Sequence, residues 1–191
     1  SPSAGLRRRE AEAAGPGAWL AHLDISRVEV GRTYRLCLDL DGAAGGQGFG
    51  DTGLTVHGSP LRGVTPAAVD RAPSTVLKVT CDDFAGCSPT AAAYLSLGPC
   101  QGAFEQPEPA TGPSRSDSRT LDFLDVAAFA VALDTSALAP GSHYLLCLDA
   151  DGAGAAYAFG ASAVVYVRGI TAVAPLALSA AGPSDLQLTC A

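Results

Sequence analysis

The chain carries one phrase twice, and this internal repeat narrows the folds that it can adopt. Residues 23–42 match residues 133–152 at 11 of 20 positions, so that Tyr34 aligns with Tyr144 and Cys37 with Cys147. After one deletion the match continues to a second pair of segments, "STVLKVTC" ending at Cys81 and "SDLQLTC" ending at Cys190. Because the two copies are separated by about the length of a small domain, the sequence predicts repeated small units rather than one large fold.

Short segments with alternating apolar residues predict β-strands. In the strand expected at Trp19–Leu23 every second residue is apolar, as in a strand that buries one face. The 22 Gly and 13 Pro separate such segments, and no helical apolar period continues for three turns. We therefore expect an all-β fold. Further strands are expected at Tyr34–Asp39 and in "GLTVHG", "STVLKVTC", "AAAYLSL", "FAVALD", "YLLCLDAD" and "SAVVYVRG".

Charge and cysteine content exclude several function classes. The net charge of -7 argues against a nucleic-acid partner, because phosphate binding requires clustered Lys and Arg. The longest apolar stretches are too short and too rich in glycine to span a bilayer. Six Cys without a CxxC pair predict disulfides and an extracellular or cell-surface location. The chain has no Met, so we expect a matured or excised product.

Acidic pairs form the one repeated candidate for a metal site. Asp39 with Asp41, and Asp149 with Asp151, make two Asp-x-Asp-Gly motifs that could bind Ca²⁺. A full calcium loop needs six or more oxygen ligands, whereas Asp-Gly is typical of a hairpin turn, so the turn is favoured. No motif for nucleophilic hydrolysis or nucleotide binding is present. We predict no enzymatic activity, no metal and no cofactor.

Two longer patterns carry a family resemblance. "L...PG..Y.L...D.DG" resembles the link between the fifth and sixth strands of immunoglobulin-like and fibronectin-type-III-like sandwiches, where the Tyr forms a corner. "V.P........L.V.C..F" resembles the first two strands of Ig-like domains of the IPT/TIG type. The resemblance covers most of residues 19–191 and implies tandem Ig-like β-sandwiches. One departure is that Cys37 follows Tyr34 by three residues, which gives it the parity of the outward face.

The resemblance implies that the chain is out of phase with its own repeat. Residues 57–168 hold one complete Ig-like domain, and residues 1–56 hold only the C-terminal strands of an incomplete one. Residues 169–191 hold the first strands of the next. The expected architecture is therefore one complete sandwich and one that is split between the N- and C-terminal segments.

An incomplete sandwich exposes unpaired backbone groups beside an open apolar core, which is used for pairing with another chain. We expect residues 169–191 of one subunit to complete the domain begun by residues 1–56 of its neighbour. Such a contact is head to tail and propagates into a helical filament of identical subunits, similar to fimbriae assembled by strand donation. The predicted subunit interface consists of Ile170, Val173, Leu176, Leu178, Leu186, Leu188, Trp19, Leu23, Leu36 and Leu38.

The resemblance also suggests a disulfide pattern. Its preferred pairing joins Cys81 to Cys147 and Cys87 to Cys100, and the repeat then predicts a bond between Cys37 and Cys190 of two subunits. Six cysteines allow fifteen pairings.

Two further possibilities stay open. The polar segment Pro107–Thr120 could carry O-linked glycans, and an undecorated loop is equally compatible with it. The alternative function is an adhesin-type binding module excised from a longer tandem Ig-like surface protein, whose loops would contact a sugar or a protein.

Overall fold

The structure is a computed structural model that describes residues 11–15, 18–21, 28–41, 45–82, 86–100, 110, 112–152, 157–177, 182 and 185–190, with the backbone alone for 11–15 and 18–21. Regular structure in these residues is entirely β, which confirms the all-β prediction. The strands are β1 (Ala11–Gly15), β2 (Ala18–Ala21), β3 (Thr33–Leu38), β4 (Gly50–His57), β5 (Leu61–Thr65), β6 (Ala68–Val69), β7 (Thr75–Cys81), β8 (Ala92–Ser96), β9 (Arg119–Thr120), β10 (Asp122–Asp125), β11 (Ala128–Leu133), β12 (Ser142–Asp149), β13 (Gly160–Val167), β14 (Ile170–Ala174) and β15 (Gln187–Cys190).

Two larger sheets come from residues 61–167, inside the predicted complete unit of 57–168. One has four strands in the order β10-β11-β7-β5, and the other has five in the order β6-β13-β12-β8-β9. Strand β6 runs parallel to β13, and the other neighbours in both sheets are antiparallel.

One cluster of buried residues lies between these two sheets. We call the two sheets together, residues 61–167, the two-sheet unit. Along β7, Leu77, Val79 and Cys81 are buried while the residues between them are exposed, as the period of two requires. The same cluster includes residues of β11 in the first sheet and of β8, β12 and β13 in the second. Because each fully buried Leu or Val contributes ~1.5–3 kcal/mol, this cluster holds the sheets together.

Tyr144 fixes the chain where it enters β12. Its buried hydroxyl accepts a hydrogen bond from the backbone N–H of Ala139 (2.7 Å) and donates one to the carbonyl of Pro113 (2.6 Å). Between these residues Gly141 has a φ of 74°, which favours glycine, and its N–H donates to Val167 (2.8 Å). The corner that the Tyr motif predicts is therefore present.

The remaining strands form three separate hairpins, β1–β2, β3–β4 and β14–β15. Across the described part of the chain, none of these hairpins is hydrogen-bonded to another sheet. They come from the N- and C-terminal segments that flank the two-sheet unit.

We predict that Tyr144→Phe lowers the free energy of unfolding of the two-sheet unit by about 1–3 kcal/mol, because it removes two hydrogen bonds and leaves their backbone partners poorly satisfied. Urea denaturation followed by circular dichroism measures this loss. Tyr34→Phe is the matched control in the β3–β4 hairpin and should change the same transition by less than ~0.5 kcal/mol. Equal effects of the two substitutions would contradict the role given to the Tyr144 corner.

Candidate functional site

Hairpin β3–β4 is a structural copy of β12–β13. The Tyr34 hydroxyl accepts the backbone N–H of Glu29 (2.8 Å), five residues earlier, just as Tyr144 accepts that of Ala139. The backbone partners also recur, except that the irregular stretch of β4 has one residue more than that of β13. They are Tyr34 with Val56, Cys37 with Asp51 and Leu38 with Gly50 in the hairpin, and Tyr144 with Val165, Cys147 with Ala161 and Leu148 with Gly160 in the two-sheet unit.

Hairpin β14–β15 is likewise a copy of β5–β7, with every partner displaced equally along the chain and the irregularity at the same step. The pairs are Ile170 with Cys190, Ala172 with Thr189, Val173 with Leu188 and Ala174 with Gln187, against Leu61 with Cys81, Gly63 with Thr80, Val64 with Val79 and Thr65 with Lys78. The two hairpins therefore copy the two halves of one core.

The two hairpins differ from the strands that they copy in how far their apolar side chains are exposed. In the two-sheet unit Leu148 and Val165 are 1% and 0% exposed, but their counterparts in β3–β4, Leu38 and Val56, are 43% and 50% exposed. Leu77 and Val79 are both 0% exposed, whereas their counterparts Leu186 and Leu188 are 48% and 51% exposed. We call Tyr34, Leu36, Leu38 and Val56 the acceptor face, and Val173, Leu186, Leu188 and Cys190 the donor face.

A cavity of about 360 Å³ opens over the acceptor face. Its lining includes Val28, Tyr34, Leu36 and Val56. The residues at the equivalent positions of the two-sheet unit, Leu138, Tyr144, Leu146 and Val165, all lie in the shared core cluster. The cavity, whose lining also includes Ser59 and Asp82, therefore lies against residues whose counterparts are core residues in the two-sheet unit.

The two faces lie at opposite ends of the two-sheet unit. At one end, the ring of His57 in β4 packs so closely on Gly160, the first residue of β13, that a Cβ there would collide with the imidazole. At the other end, the N–H of Arg168 donates to Val69 (2.8 Å), and β14 begins two residues later. Strand β13 separates these points by roughly 25 Å at ~3.3 Å per residue.

The residues predicted for the subunit interface differ in how exposed they are, and some of them are not described. Leu36 and Val173 are half-buried, and the other described side chains are exposed: Leu38, Ile170, Leu176, Leu186 and Leu188. Trp19 is in β2, where the backbone alone is described, and Leu23 and Leu178 lie outside the described residues.

The predicted pairing of Cys81 with Cys147 and of Cys87 with Cys100 is wrong. The structure joins Cys81 to Cys87 and Cys100 to Cys147. The reason is that the side chains of Cys81 and Cys147 lie on different faces of their sheets. Cys81 and Cys87 belong to the core between the sheets, whereas Cys147 lies in a second cluster with Tyr94 and Phe159, on the outer face of its sheet. The three-residue spacing after the Tyr indicated this face.

Cys37 and Cys190 are exposed and unpaired in the chain. The predicted bond between them, across two subunits, took the Cys81–Cys147 pairing as its template, and that template is absent. Cys37 is equivalent to Cys147, which lies on the outer face of its sheet. Cys190 is equivalent to Cys81, which lies on the core face of its sheet. The bond stays a prediction without structural support.

The two Asp-x-Asp-Gly motifs follow β3 and β12 but differ in environment. Asp41 is exposed, and the backbone N–H of Gln47 (3.0 Å) lowers the pKa of its carboxyl. Asp149 is buried, and its Oδ1 accepts the N–H of Gly152 (3.1 Å). Burial raises the pKa of Asp149 to about 6, and a hydrogen bond with the Asp151 carboxyl adds to the rise. Among the described residues, no three acidic, His or Cys side chains form a metal-binding group.

The segment proposed for glycans lies partly outside the described residues. Ser116 is buried, and its Oγ accepts the backbone N–H of Leu95 (3.0 Å), so it is not accessible to a sugar. Ser114 and Thr120 are exposed, and Thr120 belongs to β9 rather than to a loop. Glycosylation there stays a prediction.

Comparison of the chain with protein-family models, curated proteins and solved structures returns no match. In the part of the chain that the structure describes, no helix has the length and hydrophobicity to cross a membrane.

We predict that wild-type stability falls as the pH rises from about 4 to about 6, because folded Asp149 keeps its proton up to about pH 6 and the unfolded side chain loses it near pH 4. Asp149→Asn should remove this fall and raise the free energy of unfolding at pH 7 by roughly 1–3 kcal/mol. Urea denaturation between pH 4 and pH 7 tests both statements, with Asp39→Asn at the equivalent hairpin position as control. An unchanged pH slope in Asp149→Asn would contradict the assignment.

Proposed function

We propose that residues 61–167 form an Ig-like β-sandwich and that the chain is a structural subunit of an extracellular filament. In this proposal, β14–β15 of one copy completes the sandwich begun by β1–β4 of the next. The observation that carries the proposal is the exposure of two apolar faces whose counterparts lie buried against each other in the two-sheet unit.

The identity of the occupant follows from the repeat. The face equivalent to the acceptor face is covered in the two-sheet unit by β5–β7, and β14–β15 reproduces the register of β5–β7 residue by residue. A second copy therefore carries a segment with the strand pairing and apolar pattern that the acceptor face lacks. Burying Leu186 and Leu188 would each contribute ~1.5–3 kcal/mol to association.

Assembly into a filament, rather than a closed dimer, is favoured by where the faces lie. Donor and acceptor are different surfaces at opposite ends of the two-sheet unit, so the contact between copies is heterologous. Each added copy leaves one donor and one acceptor free, and growth continues unless the rotation closes a ring. The two disulfides support an oxidising, extracellular setting for such an assembly.

A second candidate is a module of a longer tandem array, with an adhesin-like binding role for its loops. The exposed, unpaired thiols of Cys37 and Cys190 favour it, because neighbouring repeats of a longer chain could supply their partners. In that case flanking repeats of the same polypeptide cover both faces. The reduced and denatured mass of the natural product separates the candidates: 19.1 kDa supports the filament subunit, and a much larger polypeptide supports the array.

We predict that the wild-type chain forms filaments in negative-stain images. In sedimentation it should give a series of oligomers whose size increases with protein concentration. Leu188→Asp should weaken association at least ~100-fold, since it replaces ~3 kcal/mol of apolar burial with a charge. Val164→Asp is the matched control, because Val164 is also half-exposed, at 50%, but lies on β13 outside both faces. Wild-type particles that stay monomeric at every concentration, or an unaffected Leu188→Asp, would refute the proposal.

A further inference from the structure

Hairpin β1–β2 is a third structural copy, and it extends the repeat to the edge of a sheet. Its partners correspond to those of β10–β11 at the same displacement that relates Tyr34 to Tyr144, with the irregularity at the same step. They are Glu12 with Leu20, Ala13 with Trp19 and Gly15 with Ala18, against Asp122 with Ala130, Phe123 with Phe129 and Asp125 with Ala128.

In the two-sheet unit β11 also pairs with β7 along its second edge. The antiparallel partners include Ala128 with Thr80 and Phe129 with Val79. Within the described residues, the copies of these two strands lack that pairing, because β2 is bonded only to β1 and β15 only to β14. Each copy therefore has one edge of backbone N–H and C=O groups available to another strand.

We propose that β15 of one copy pairs antiparallel with β2 of the next, in the register that β7 keeps with β11. This inference rests on the proposed filament and specifies its joint. The composite sheet has the order β1-β2-β15-β14, a copy of β10-β11-β7-β5. The opposed residues are Ala18 with Thr189, Trp19 with Leu188, Leu20 with Gln187 and Ala21 with Leu186.

The apolar pattern selects this register over its neighbours. Leu77 and Val79 of β7 point into the core while Lys78 and Thr80 are exposed, so their counterparts Leu186 and Leu188 must face the acceptor core. A slip of one residue would turn both leucines to solvent. The joint thus combines backbone pairing at the edge with apolar packing on the face, as in β-strand addition.

Cysteine cross-linking tests the register in the full chain. In a Cys37→Ser, Cys190→Ala background, which keeps the donor face apolar, Ala18→Cys with Thr189→Cys places two thiols on directly opposed residues, whose Cβ atoms lie roughly 4.5–5.5 Å apart in such pairs. Leu20→Cys with Gln187→Cys is a second in-register pair, which guards against misfolding of the first. Ala18→Cys with Asp185→Cys is the control, with thiols displaced along the strand by about 13 Å.

After mild oxidation, we expect both in-register pairs to give a ladder of covalent oligomers on a non-reducing gel, at least ~10-fold faster than the control. If filaments still form but the control pair cross-links fastest, the proposed register is wrong and the proposed function is retained. A cross-linked monomer without a ladder would mean that the chain closes on itself, which overturns both. Absence of filaments and of cross-links would overturn the proposed function and the register with it.

Discussion

The apolar contact between two facing sheets is the interaction on which the rest of this structure depends. In residues 61–167 it is complete, because β5 and β7 on one side meet β12 and β13 on the other. Hairpins β3–β4 and β14–β15 repeat these two halves, but within the described residues each forms a separate sheet. The filament proposed above would bury both apolar faces, and removing apolar surface from water is favourable.

Hairpin β3–β4 is already ordered within the single chain, which would lower the entropy cost of the association proposed above. In β3–β4 the Tyr34 hydroxyl holds the backbone of Glu29, and Arg35 pairs with Asp51 at 2.6 Å. That ion pair is exposed and screened by solvent, so the hairpin depends mainly on its backbone hydrogen bonds and on the Tyr34 bond. The hairpin is also seated on the two-sheet unit through His57 and Gly160.

The sequence predicts the parts of this structure that depend on local pattern. The alternation in "STVLKVTC" and the Tyr before "CLD" indicate β7 and β12, and both are present. Strands β6 and β9 have two residues each and show no pattern, while β10 is exposed on both faces, so none of them was predicted. Pairing of the cysteines depends on which face of a strand each one occupies in three dimensions. Cys37 follows Tyr34 by three residues, which predicts that Cys37 and its equivalent Cys147 lie on an outer face. The preferred pairing instead follows the disulfide of the resembled family, which lies in the core.

The two copies of the Asp motif show how one phrase acquires different chemistry from its surroundings. Asp149 is buried beneath the turn after β12 and shares a hydrogen bond with Asp151, whereas the copy after β3 is open to solvent. The sequence predicts the turn in both places. The raised pKa of Asp149 arises from packing that only the complete two-sheet unit supplies.

Hydrogen–deuterium exchange at two protein concentrations tests the central claim most directly, because it follows the backbone groups that would pair between two chains in the proposed sheet. We expect the amides of β2 and β15 to exchange more slowly at the higher concentration, while those of β7 and β11 exchange equally slowly at both. Amides of β2 and β15 that exchange at the same rate at both concentrations would contradict it.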